Sequence, residues 1–160
     1  MRHFVFAVLM LSVASISIVG ASLTYQDAQS YVDNYNSKIG GTSDVVKGLL
    51  TVLLGGEKIN LNVALTNGTI FSVGFVTENA FVNKTVPGGV ADPSIVIATN
   101  EGAIDRIKSS DNPISAFQEE MDVGAVKIEG TNWITNRKLD AVLSSAPVLE
   151  FFSSILIGKN

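Results

Sequence analysis

The stretch from Lys58 to Val76 constrains the fold more than any other. Ile59, Leu61, Val63 and Leu65 alternate with Lys58, Asn60, Asn62, Ala64 and Thr66, the period of a half-buried strand. Asn67-Gly68 follows, a dipeptide suited to a type I′ turn because both central positions need φ > 0. Thr69–Val76 then returns with Phe71, Val73 and Phe75 on one face. Gly74 lies on the other face, where something else can approach closely.

Around this hairpin the pattern alternates between helix and strand. Ser22–Lys38 reads as a helix with Thr24 as N-cap and Asp27 completing a capping box. Its stripe is Tyr25, Ala28, Tyr31, Val32 and Tyr35, and Gly40-Gly41 ends it. Ser43 or Asp44 caps a second helix, Val45–Leu54, which is almost wholly apolar. After the hairpin, Phe81–Val86 and Ser94–Thr99 read as strands. Asn100 caps a short helix carrying Ile104 and Ile107, and Asn112 caps another with Pro113 at its favoured first position and Phe117 inward. Ala125–Glu129 is a fifth strand. A helix from Thr131 or Asn132 then carries Leu139, Val142 and Leu143 until Pro147 interrupts it.

Composition narrows the chemistry. The chain of 160 residues is 46% hydrophobic and 16% charged, a globular and not a disordered composition. It has no cysteine, and its single histidine is His3. Disulfides, thiol nucleophiles, Ser-His catalysis and His-ligated metals are therefore excluded from everything beyond the N-terminus. No metal or cofactor site is expected. Glu101 and Asp105 form no convincing acid pair, and Glu119, Glu120 and Asp122 lack calcium-ligand spacing and read as a solvated face. The chain is not expected to be an enzyme. Its net charge is −4, with no Lys/Arg run, so a nucleic acid partner is not expected.

The N-terminus reads as an export signal. Arg2 precedes the apolar run Phe4–Val19, and Val19-Gly20-Ala21 offers small residues for cleavage after Ala21. Cleavage would remove Arg2 and leave ten basic against fifteen acidic residues, or −5. Retained, the 18 residues Phe4–Ala21 would be near the lower limit for a membrane anchor. A secreted or extracytoplasmic location is expected, membrane-anchored where the presequence is kept. Two sequons, Asn67-Gly68-Thr69 and Asn83-Lys84-Thr85, are candidate glycosylation sites on that route.

From Ala91 onward the string resembles the sterol carrier protein 2 (SCP2) family. Asp92-Pro93-Ser94-Ile95-Val96-Ile97 leads into Asn100-Glu101, then Asn112-Pro113-Ile114-Ser115-Ala116-Phe117, then Val126-Lys127-Ile128-Glu129-Gly130. With the preceding hairpin, the resemblance covers roughly Ser43–Leu143. The distance from Phe117 to Gly130 is about four residues longer than the family's, the export signal is unlike its intracellular carriers, and no C-terminal peroxisomal address is present. The resemblance implies an α+β fold: a five-stranded, mostly antiparallel sheet with helices on one side and an apolar cavity between them. On this reading residues 1–21 are the signal, 22–42 an N-terminal helix and 43–160 the SCP2-like domain.

The same resemblance implies a lipid-binding or carrier protein, taking a fatty acyl chain, sterol or similar hydrophobic molecule. Burying a twelve-carbon chain at ~0.8 kcal/mol per CH₂ would gain on the order of 10 kcal/mol before ordering costs. Candidate cavity residues are Phe71, Val73, Phe75, Ile95, Ile97, Ile104, Phe117, Met121, Phe151 and Phe152. On the residues alone a plain core face is the preferred reading, and it is the resemblance that raises a lining role for some of Phe71, Val73, Phe75, Ile95 and Ile97. The tail holding Phe151, Phe152, Ile155, Leu156 and Ile157 suits a lid, a membrane-touching element, an oligomer interface or a helix docked on the core. Trp133 reads as a core anchor or an interfacial aromatic, with the core preferred. The alternative function is a cell-surface structural or interaction module of the same fold with its cavity filled. Transient membrane contact and a homo-oligomer are the further partners expected.

Overall fold

The computed structural model describes residues 23–148 and Phe151. Residues 1–22, which hold the expected export signal, residues 149–150, Phe152 and the tail beyond it lie outside the described residues, as do the side chains of Val142 and Leu143.

The alternating segment forms β1 (Lys58–Ala64), which pairs antiparallel with β2 (Ile70–Glu78). The strand β2 pairs antiparallel with β3 (Phe81–Pro87). On the other side of β1 lies β4 (Ile95–Asn100), parallel to it, and then β5 (Lys127–Gly130), antiparallel to β4. The strand order is β3-β2-β1-β4-β5, an open sheet in which only the β1–β4 pairing is parallel. Register carries the sequence pattern across the sheet. Ile59 stands between Phe75 and Ile95, Leu61 between Val73 and Ile97, and Val63 between Phe71 and Thr99. One face is thus apolar apart from Thr99, which is buried at the end of β4 with its hydroxyl donating to the Ala125 carbonyl at 3.1 Å.

The first hairpin turn differs from the expected assignment. The connection between β1 and β2 is Leu65–Thr69, in which the Leu65 N–H donates to the Thr69 carbonyl at 2.9 Å and leaves Thr66–Gly68 at the tip. Only Gly68 there has positive φ (84°). Asn67 keeps negative φ and uses its Oδ1 to accept from the Thr69 N–H and hydroxyl, at 2.9 and 2.7 Å. The side-chain bond outcompetes the two-residue turn that Asn-Gly favours. Two consecutive positive φ angles instead occur between β2 and β3, at Asn79 (52°) and Ala80 (74°).

The connection from β3 to β4 must pass β2 and β1, and it does so across the sheet's second face. Gly74 is where it passes: a Cβ there would lie 2.5 Å from the Val90 nitrogen. The close approach expected at Gly74 is therefore present, and its cause is this crossing loop.

Helices cover the apolar face. The helix α1 (Tyr25–Gly40) starts at the Thr24–Asp27 capping box, and α2 (Asp44–Leu54) at Ser43. The helices α3 (Glu101–Ser109) and α4 (Pro113–Asp122) are capped by Asn100 and Asn112, whose side chains accept N–H bonds from Ala103 and Ser115. The helix α5 (Trp133–Leu143) follows Asn132, whose Oδ1 accepts from the Thr135 N–H at 2.9 Å. Ala28, Tyr31, Tyr35 and Ile39 of α1 and Val46, Leu50, Leu53 and Leu54 of α2 share one core with the sheet.

Candidate ligand-binding site

The candidate site is the layer between the apolar sheet face and the helices. Val73 and Phe75 on β2 and Ile95 and Ile97 on β4 are buried there, with β1 between them. Ile104 of α3 and Phe117 of α4 reach the same cluster from the helical side. Phe71 and Met121 are half-buried at its margin. Phe151 is buried and meets Tyr35 edge-on, with ring centroids 6.3 Å apart. Phe152 lies outside the described residues. Nine of the ten apolar candidates thus converge on one cluster.

Three further groups of residues belong to this layer. Ile59, Leu61, Val63 and Ile128 complete its floor, and Leu50, Leu53 and Leu54 its cover. Tyr35 donates its hydroxyl to the Ala80 carbonyl at 2.8 Å, and burial pushes its phenol pKa up. It therefore stays a neutral donor at any physiological pH. Glu57, three residues beyond the end of α2, is buried and accepts from the Lys138 ammonium of α5 at 3.0 Å. That pair ties the end of α2 to α5.

Two sequence expectations are corrected here. Glu120 is not solvated: it is buried, and both its oxygens accept from the Arg106 guanidinium, the Nη2–Oε2 bond being 2.8 Å. The Arg106 bonds hold its carboxyl below the ordinary 4.5. Acidic spacing alone could not show this, because the partner sits fourteen residues away on α3. Trp133 is not a core anchor either. It is 70% exposed, with the Arg137 guanidinium over its ring at 5.9 Å. Among the described side chains of that helix, Thr135 and Leu139 are the buried ones.

Glu101 turns out to be a joint between elements. Its Oε2 accepts from the Thr66 N–H at 2.9 Å and hydroxyl at 2.8 Å, and those bonds hold its carboxyl below the ordinary 4.5. Both sequon asparagines are exposed, Asn67 in the first hairpin loop and Asn83 on β3, where its amide donates to Glu78 at 2.8 Å. Among the described residues no helix is long and apolar enough to cross a membrane.

The architecture is α+β: the five-stranded, mostly antiparallel sheet and its helical cover agree with what the resemblance implied for the fold class. No protein-family model and no curated protein matches the chain. Among solved structures it is similar to the sterol carrier protein domain 2 of Helicoverpa armigera, at 18% identity and TM-score 0.49 over 82% of this chain and 96% of that one. It is also similar to a UbiJ-SCP2 ubiquinone synthesis protein (14%, 0.49, 82% and 98%) and to a sterol carrier protein 2 (12%, 0.49, 79% and 93%).

Proposed function

We propose that this chain is an exported lipid-binding or carrier protein that performs no chemistry of its own. The carrying observation is the apolar layer between sheet and helices, whose rows run from Phe75 through Ile59 to Ile95 and from Val73 through Leu61 to Ile97. A fatty acyl chain, sterol or similar molecule would enter by parting helices from this face, with Phe71 and Met121 at the margin. Desolvation of the ligand supplies the driving force, and displaced core contacts oppose it. The chain around Phe151 would act as the gate. Export would place the carrier outside the cytoplasm, with Asn67 and Asn83 open to glycosylation.

The test is native mass spectrometry of the protein purified from its own host, followed by lipid extraction and titration with a fluorescent fatty acid. A bound lipid of defined mass, with uptake weakened by Met121→Asp, supports the carrier. A clean apo mass without uptake refutes it. The second reading, a surface module with its cavity filled, is favoured by the near-complete burial of Val73, Phe75, Ile95, Ile97 and Phe117. The apo result would establish it.

A further inference from the structure

The helix α2 is apolar on two sides: the core takes up one of them, and of the other only Leu49 touches it, at the border. Val46, Leu50, Leu53 and Leu54 point into the core. Val45 is 65% exposed and Val52 58% exposed, with exposed Gly48 and half-buried Leu49 between them. These four positions follow the four-three spacing of a helix seam. No charged side chain interrupts the stripe. Lys47 is turned toward β3, with its ammonium 5.5 Å from the Phe81 ring centroid.

Gly48 is the odd residue. A glycine inside a helix costs about 0.8–1 kcal/mol against alanine. Gly74 and Gly130 have local reasons for lacking a side chain, since a Cβ would press against Val90 or Asn136. At Gly48 an added Cβ would meet no described atom within 4 Å beyond its own helix. Nothing within the described fold requires the notch.

The stripe is also self-complementary. Residues 45, 48, 49 and 52 are symmetric about the point between 48 and 49. Two antiparallel copies crossing there would set Val45 of one against Val52 of the other, and each Leu49 into the notch over the other's Gly48. That is the geometry an isologous two-fold contact requires, the same patch serving both partners. We propose that α2 is the seam of a homodimer, with a second copy of this chain as its occupant. The helix is short, about 16 Å at 1.5 Å per residue. Its stripe alone falls below a standard interface, so the dimer is reversible, with Kd on the order of micromolar or weaker.

The experiment uses protein produced from the full sequence in its own host. Sedimentation should show a concentration-dependent dimer. Because the chain has no cysteine, V45C/V52C gives a clean cross-linking readout. The two positions are about 10 Å apart along one helix, beyond the ~7 Å limit for a disulfide. Mild oxidation should therefore yield a covalent dimer, and V45C alone should cross-link far more slowly. Gly48→Leu should raise the dilute-solution Tm by about 3 °C through helix propensity while abolishing the dimer. Four results overturn the proposal. The first is a monomer at all concentrations with no cross-link. The second is a dimer indifferent to Gly48→Leu. The third is a monomer that floats with phosphatidylcholine vesicles and is released by Val45→Asp, which would assign the face to a bilayer. The fourth is a monomer whose Tm drops several degrees with Val45→Asp, which would assign it to the chain's own terminal segments.

Discussion

Three asparagines do the same job at three points of the sheet. Asn36 accepts from the Val82 N–H and donates to the Val82 carbonyl, both at 2.9 Å. Asn60 does so with Val90 at 2.7 and 3.0 Å, and Asn136 with Gly130 at 2.9 and 3.1 Å. Each carboxamide satisfies both backbone groups of one residue. Asparagine alone fits, since aspartate lacks the donor and leucine lacks both functions. Asn60→Asp should lower stability by about 1–3 kcal/mol in a urea titration, and an unchanged midpoint would refute the clamp. Gly74→Ala should cost a similar ~1–3 kcal/mol, because the Val90 backbone must move. Acid acts at Glu120 and Glu101. Both carboxyls are held below their ordinary pKa in the folded state, so their contribution is complete above the unfolded value and is lost as pH falls through the folded one. Unfolding free energy should fall from about pH 5 to pH 3, with a shallower fall in Glu120→Gln. Equal slopes would show that Arg106 does not stabilise the charged form.

At the scale of elements, the sheet's two edges are treated in parallel ways. The helix α1 covers β3: Tyr25 donates to the Thr85 carbonyl at 2.8 Å, Tyr35 to Ala80, and Asn36 clamps Val82. An edge strand with free N–H and C=O groups is a template for aggregation, and these side chains occupy the groups it would offer. At the other edge Asn136 of α5 holds the end of β5. Asn36→Leu should leave Val82 unpaired. The expected result is faster aggregation on heating, read by light scattering, with helix content little changed. Much of this element scale was legible in the sequence. Thr24, Ser43, Asn100 and Asn112 all cap the helices their positions suggested, because a cap bonds an N–H only two or three residues away. The edge clamps were not legible, since Asn36 and Val82 are 46 residues apart and an asparagine in a helix carries no mark of its partner.

For the molecule as a whole, one cluster holds sheet and helices together, and a ligand must compete with that packing. Phe75→Ala should cost about 3–5 kcal/mol. A lipid that fills the resulting space should restore part of the lost Tm, and no recovery with any acyl chain length would count against a lipid-accessible layer. Trp133 is the sole tryptophan and lies outside this cluster, which makes it a reporter of surface contact. Its emission should resemble that of indole in water. Uptake of a ligand into the layer should leave it unchanged, whereas vesicle docking at α5 should shift it to the blue.

What the sequence determined by itself was whatever depends on near neighbours. The alternation at 59–65 and 71–75 set which side of each strand is apolar, and cap residues set where helices begin. The missing cysteine and the single histidine at position 3 set which chemistries are excluded. What the tertiary structure decided depends on distant partners. Asn67-Gly68 suited a type I′ turn, yet its side chain found Thr69 and the paired positive angles moved to Asn79-Ala80. Glu120 looked solvated until Arg106 of another helix neutralised it. Trp133 looked like core until the burial of Thr135 and Leu139 turned it outward. The physical reason is common to all three. A local pattern states what a residue would prefer, while burial and long-range bonding choose among preferences that differ by only about a kcal/mol.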